Sequence, residues 1–477
     1  MEFWIKAAQL ILSLSILVIL HEFGHFIPAR LFKTKVEKFY LFFNPYFALV
    51  RFNKVKGKWK TSWFSNSKNK TTEKETEVEK AEEENLDAES TEWGVGWLPL
   101  GGYVKIAGMV DESMDTEQLA KPSQPWEFRS KPAWQRLIIM IGGVTVNLIL
   151  GIFIYICIMF AYGEEELQPQ QLQAGLSVHP YLSKYGLYSG DNILEINDED
   201  VTNVSEINNA VMLRDGRKLL VEHENGVKAT ITLPEGIEYE LFQKGAFPAF
   251  GLRHPSIVVD TVMPEKAASK VGLKEGDKIL SINNNKVVYY DDIQRYFYAT
   301  KGKKAAVSIQ RGNDTLLFNP KVNEEGMIGF GVVITDYIDQ NSVKQKYYRF
   351  GESVGKGVDK GFHTLSDYTA QLKFMFTKKG ASSIGGFGAI GNMFPPVWDW
   401  HQFWMTTALI SIILAFMNIL PIPALDGGHV VFLIYEMITG KEAPQKVLEY
   451  AQYAGFFLLM SLVVYANGND LIKWLFP

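Results

Sequence analysis

Four stretches of the chain run for about twenty residues with almost no charge, the length a helix needs to cross roughly 30 Å of hydrocarbon. Leu137 to Phe160 gives 24 uncharged residues and Phe403 to Leu425 gives 23. Tyr450 to Asn469 is polar only at its end, and Ala7 to Ala29 carries a single acid, Glu22, inside His-Glu-Phe-Gly-His. The pattern predicts four transmembrane helices, within 1–36, 132–162, 403–440 and 447–469. The first is not read as a secretory signal, because its apolar run enters the HEFGH sequence with no small-residue cleavage site. A different pattern occupies Trp93 to Ile106, where apolar residues interleave with paired glycines. It predicts a membrane-associated β-hairpin or re-entrant region formed by 37–60 and 93–110, which membrane depth tolerates only against protein or a wet cavity. In the segment 345–400, Phe350, Val354, Val358, Phe362, Leu365, Tyr368, Leu372 and Met375 step by three or four. That spacing predicts one apolar helix face at the membrane surface, ahead of a glycine-rich loop.

The long stretch between the second and third apolar runs repeats itself. Gly186 to Val201 aligns without gaps on Gly272 to Val287, with nine of sixteen positions identical at an offset of 86 residues. Two tandem α+β domains are predicted, 170–238 and 250–335. The shared Gly-Leu-x-x-Gly-Asp-x-Ile-Leu-x-Ile-Asn resembles the core motif of PDZ domains in bacterial proteases, a family that binds peptides by strand addition. A peptide groove and a role as steric spacers both remain open on this reading.

With 477 residues the chain has room for about three domains, and 47% hydrophobic residues exclude a disordered or collagen-like polymer. Cys157 is the only cysteine, so neither an internal disulfide nor a Cys-rich zinc module is possible. The net charge of -5 argues against a nucleic-acid partner. Residues 61–92 hold ten Asp/Glu and four Lys, which reads as a flexible acidic insertion and leaves the rest of the chain at +1. Nine Lys or Arg lie between Arg30 and Lys60, against Lys6 alone before the first span. This bias predicts a cytoplasmic loop there, with both termini and the repeated domains on the outer side.

The chemistry sits inside the apolar runs. His21 and His25 are four apart, so on a helix both rings project from one face and can grip one metal ion. Glu22 is close enough to act as a general base on water at such a centre. Ionisable groups in a span cost several kcal/mol, which favours a metal site over a chance match. Catalytic zinc takes three protein ligands, and the metzincin continuation fails because Pro28 and Leu31 stand where Gly and His are needed. Asp426, in Asn418-Ile-Leu-Pro-Ile-Pro-Ala-Leu-Asp-Gly-Gly-His429, is the favoured third ligand, at the cytoplasmic end of the third span. An N-cap role for Asp426 and a ligand role for His429 are the alternatives. Gly24, between the histidines, leaves room for a close neighbour such as the Asp426 loop or a substrate.

Taken together, the HExxH span, Pro99-Leu-Gly-Gly-Tyr-Val104, Asn147, the tandem domains and Asn418-x-x-Pro421-x-Pro423-x-x-Asp426 resemble the site-2 protease family. The resemblance covers nearly the whole chain. It implies an intramembrane zinc endopeptidase with one Zn2+ per chain, acting in a bacterial inner membrane on transmembrane substrates pre-cleaved by a site-1 protease, such as anti-sigma factors or signal-peptide remnants. Carried over, His21, His25 and Asp426 are zinc ligands and Glu22 the catalytic base. Gly101, Gly102, Tyr103, Asn147, Asn418, Pro421 and Pro423 become substrate-binding or framing residues. Two positions depart from the family: Gly143-Val-Thr-Val-Asn147 replaces Gly-Pro-x-x-Asn, and Ile413 replaces a frequent Asn. A zinc carrier or membrane scaffold that gathers partners through its PDZ-like pair is the rival reading.

Overall fold

A computed structural model of the chain describes residues 1–55, 57–66, 90–99, 101–109, 122–332 and 343–475. The apolar runs are helices: α1 (Glu2–Leu31), α2 (Ala133–Ala161), then, after α3 (Phe350–Met375), α4 (Trp400–Ile419). A short α5 (Asp426–Thr439) and the long α6 (Gln445–Leu475) follow. Of these, α1, α2, α4 and α6 are long and apolar enough to span a membrane. The third span ends at Ile419 rather than continuing to Leu425, because Pro421 and Pro423 lack the N–H donors a helix needs. The chain divides into two units, 1–162 with 348–368 and 382–477, and 163–347 with 369–381.

In the first unit α1 and α2 approach through glycine. A β-carbon on Gly24 would lie 2.7 Å from the Cα of Gly143 and closer still to the Gly142 carbonyl. Glycine allows two backbones to pack without side chains between them, as small residues do in membrane helix pairs. Gly24 does have a close neighbour, and it is α2 rather than the Asp426 loop or a substrate, which corrects the expectation for that residue. Gly151 gives α4 the same close seat on α2, with Ile412 Cγ1 at 2.7 Å from the corresponding β-carbon position.

The glycine-paired segment belongs to a five-stranded sheet of order β3-β2-β4-β1-β5, formed by β1 (Val36–Leu41), β2 (Phe43–Val55), β3 (Lys58–Asn66), β4 (Glu92–Leu98) and β5 (Tyr103–Ile106). The parallel β1–β4 pair joins segments far apart in sequence. The acidic stretch expected to be flexible from 61 begins as the end of β3, and its residues 67–89 lie outside the described ones. Phe23 and Phe26 of α1 pack tilted or edge-on against Phe39 of β1 and Trp93 of β4, the Phe39–Trp93 centroids being 4.7 Å apart. Aromatic pairs of this kind contribute about 0.5–1.5 kcal/mol beyond their area. They fasten the sheet to the helix that carries both histidines.

Helix α3 exists where the periodicity placed it. Ser353, Gly357 and Gly361 turn inward, with Ile156 and Ile152 of α2 filling the glycine notches, while Phe350, Val354 and Phe362 are exposed.

In the second unit the sequence repeat is a structural one. Sheets of equivalent order form from 192–196, 199–200, 218–222 and 228–232, and from 278–282, 285–286, 307–311 and 314–318. Each Gly-Asp turn closes alike: Asp191 accepts from the Tyr188 N–H and Asp277 from the Lys274 N–H, both at 2.8 Å. Asn197 and Asn283 hold positive φ in the following turns and accept from the Arg217 and Ala306 N–H groups, which lead into the strands 218–222 and 307–311. Each copy has its own apolar core, centred on Ile193 and Leu219 in one and Ile279 and Ile309 in the other.

Candidate metal centre

Helical spacing puts His21 and His25 one above the other on α1, and the last turns of α4 with the first of α5 bring Asp426 to them. The Nε2 atoms of the two rings are 3.3 Å apart, and Asp426 Oδ2 lies 3.3 Å from His21 Nε2 and 3.4 Å from His25 Nε2. Ligands about 2.05 Å from a zinc ion at the tetrahedral angle are about 3.3 Å apart. Asp426 Oδ2 is buried and has no hydrogen-bond partner, although both imidazoles face it. A buried carboxylate oxygen in that position wants a cation, so the donor set fits zinc in both spacing and chemistry.

The Asp426 loop owes its path to small residues. A β-carbon on Gly427 would sit 2.5 Å from the Ile419 carbonyl carbon, and one on Gly428 2.7 Å from Pro423 Cα. Ala424 takes a positive φ of 75°, and Gly455 of α6 makes room for Pro423. Asp426 is the first residue of α5, whose N-cap is Leu425. It therefore starts a helix, as the capping alternative expected, yet makes no side-chain cap; its oxygen faces the histidines.

Glu22 is beside the centre. The backbone N–H of Val104 in β5 donates to its carboxylate, and Gly102 approaches its Cγ, with 3.6 Å to the β-carbon position. Gly101 has φ of 154° and the Gly101–Gly102 pair leads directly into β5, the last strand of the sheet. Tyr103 stacks on Tyr40, 5.3 Å between centroids, and its hydroxyl donates to Asn44. Asn418 Nδ2 lies 3.4 Å from His21 Nε2, and Asn147 Nδ2 3.3 Å from His21 Nδ1. Pro421 is exposed and Pro423 packs on Gly455, so neither is among the groups that converge. His429 is not in the converging set and lines a cavity of about 270 Å³ with Arg136, Glu436 and Gln452. Among the described residues, His21, His25 and Asp426 are the set whose ligand atoms converge.

Reasoning from sequence had missed the Ile139 carbonyl, which accepts from His25 Nδ1 at 2.8 Å, and Gly143, against both rings. A backbone carbonyl leaves no side-chain signal. The Gly142-Gly143 pair one helix away from HExxH was the available clue.

Comparison with known proteins gives the same direction. A model of peptidase family M50 matches residues 9–66 and 84–462. The chain is 27% identical to the regulator of sigma E protease of Haemophilus influenzae, over 99% of this chain and all of that protein. It is 25% identical to protease RseP of Yersinia pestis and to the regulator of sigma-E protease RseP of Escherichia coli, each over 98% of both chains.

Proposed function

Because the chain belongs to peptidase family M50 and is a membrane zinc metalloprotease, we propose that it cuts peptide bonds within transmembrane segments of single-span proteins already shortened by another protease. The observation that carries this is the triangle of His21 Nε2, His25 Nε2 and Asp426 Oδ2 with Glu22 beside it, the two histidines and Glu22 being on a helix long and apolar enough to span a membrane. Anti-sigma factors and signal-peptide remnants have the required single-span form.

His21, His25 and Asp426 would hold the zinc, which when bound supplies Lewis acidity to polarise a carbonyl and acidify water. Glu22 takes the proton from the attacking water at its carboxylate and delivers it to the leaving amine. The Val104 N–H orients that carboxylate from one side. Asn418 presents its amide near the same point, where it can donate to the oxygen of a carbonyl under attack.

A helical substrate has its carbonyls tied up in internal hydrogen bonds, so it must unwind before attack. The strand leading from Gly101 and Gly102 through Tyr103 runs beside Glu22 and offers a template on which an extended segment can lie. Pro421 and Pro423 keep the opposite segment out of a helix, so that Asn418 and Asp426 can face the same space. The two repeated domains act as PDZ-like filters that hold back untrimmed substrates. The Lys and Arg bias from Arg30 to Lys60 supports a centre that opens toward the cytoplasm, with the repeats on the outer side.

The test is the purified protein in liposomes with a trimmed single-span substrate, the products mapped by mass spectrometry. Cleavage inside the apolar segment, increased by helix-breaking residues there, is expected. Cuts only in water-exposed flanks would refute intramembrane hydrolysis.

A further inference from the structure

The two histidines differ in what faces their second ring nitrogen. Both present Nε2 toward Asp426, and a neutral imidazole that gives Nε2 to a metal carries its proton on Nδ1. Whatever faces Nδ1 must then accept a hydrogen bond. For His25 it is the carbonyl of Ile139, at 2.8 Å. For His21 it is the side-chain amide of Asn147, at 3.3 Å through Nδ2, which sets a donor against a donor. Asn147 is 1% exposed, and its Oδ1 is buried with no partner.

One rotation resolves this mismatch. The O and N of an amide are interchangeable by a 180° turn that leaves the shape of the side chain unchanged. Turned this way, Oδ1 accepts the proton of His21 Nδ1, and the NH2 takes the place Oδ1 held. We infer that Asn147 is a positioning residue for His21, its amide oxygen fixing the tautomer and orientation in which Nε2 can serve the metal. Its own position is braced: Ser411 of α4 donates to the Asn147 carbonyl at 2.7 Å, where Gly151 lets α4 sit close on α2. Two different acceptors, a main-chain carbonyl and a side-chain amide, thus do for the two rings the same task. The inference rests on the zinc centre proposed above, and it is distinct from a role for Asn147 in contacting substrate.

Partners of this kind hold metal affinity by about 10- to 100-fold. The experiment measures zinc affinity of the full-length protein in detergent, by competition with a chromophoric chelator, alongside cleavage of a trimmed substrate. Asn147→Leu keeps the shape and removes the acceptor; zinc affinity should fall about 10- to 100-fold. Asn147→Asp keeps an acceptor and should hold zinc at least as tightly as the native protein. Ser411→Ala, a milder change that deletes only the brace, should weaken zinc by a smaller factor, and it decides the matter if the leucine variant does not fold. Unchanged zinc affinity in Asn147→Leu, or in Ser411→Ala where that variant must decide, would overturn the inference. So would a loss in Asn147→Asp equal to that in Asn147→Leu. Loss of cleavage in Asn147→Leu with zinc affinity intact would give the residue to substrate instead and leave the zinc centre standing.

Discussion

Replacing Gly143 by alanine would place a methyl carbon 2.6 Å from His21 Cε1 and nearer still to His25 Nε2. Ordinary carbon contacts are about 3.5–4.0 Å, so the His21 ring must retreat by about 1 Å. A metal site tolerates displacements of about 0.2 Å. Without zinc the rings can swing away from the methyl, so the overpacking cost of about 1–3 kcal/mol falls on the zinc-loaded form, equivalent to a roughly 5- to 150-fold loss of zinc affinity. Gly142→Ala is the control. Its methyl would meet the backbone of Gly24, 2.8 Å from the carbonyl carbon, and must part α1 from α2 whether or not zinc is bound. Chelator competition gives the affinities, and thermal unfolding of zinc-free protein gives the cost to the fold. Equal zinc affinity in Gly143→Ala and the native protein would refute the reasoning. So would a zinc-free form of Gly143→Ala destabilised as much as the loaded one.

Arg136 is buried and paired with the half-buried Glu436, with Glu442 at 3.4 Å, so Arg136→Ala should cost about 1–3 kcal/mol by leaving Glu436 without its partner, and Arg136→Met with Glu436→Leu should restore most of it in thermal melts. In the second repeat, burial alone would raise Asp277, but two hydrogen bonds from Arg311 at 2.7 Å and one from the Lys274 N–H outweigh it and hold the carboxyl below its usual range. Stability from that pair is complete above the unfolded value of about 3.9 and is lost as pH falls through the lower folded one. The deficit of Arg311→Met against the native protein should therefore shrink between about pH 6 and about pH 2; a deficit independent of pH would contradict this. Removing residues 170–335 should leave cleavage of a trimmed substrate intact and admit an untrimmed one, whereas loss of both with zinc still bound would show recruitment rather than filtering.

The four spans and the repeat were legible because each is a local pattern: apolar runs of helical length, and sixteen positions that align without gaps. His21, Glu22 and His25 were legible for the same reason, since helical spacing alone puts the two rings on one face. Asp426 had to be brought from four hundred residues away, and it was found only because a carboxylate beside an apolar run needs a partner. The sheet was less accessible. The parallel pairing of β1 with β4 joins Lys38 to Glu92 across the acidic stretch, and no turn signal marks such a contact. The seat of α3 on α2 was not legible, because apolar periodicity marks Val354 and Phe362 for the membrane surface, while Gly357 and Gly361, which carry the close contact, have no side chain to give a signal. Gly24 was recognised as a point of approach, but which backbone approaches it is a property of the packed pair.

The most direct measurement compares native protein with Glu22→Gln, purified and reconstituted with a trimmed single-span substrate, reading zinc per chain and cleavage on the same samples. One zinc per chain in both, with cleavage only in the native protein, is the expected result. A Glu22→Gln variant that still cuts would contradict the role of Glu22 as base. A native protein that holds its zinc yet cuts no membrane substrate would point to a carrier or scaffold instead.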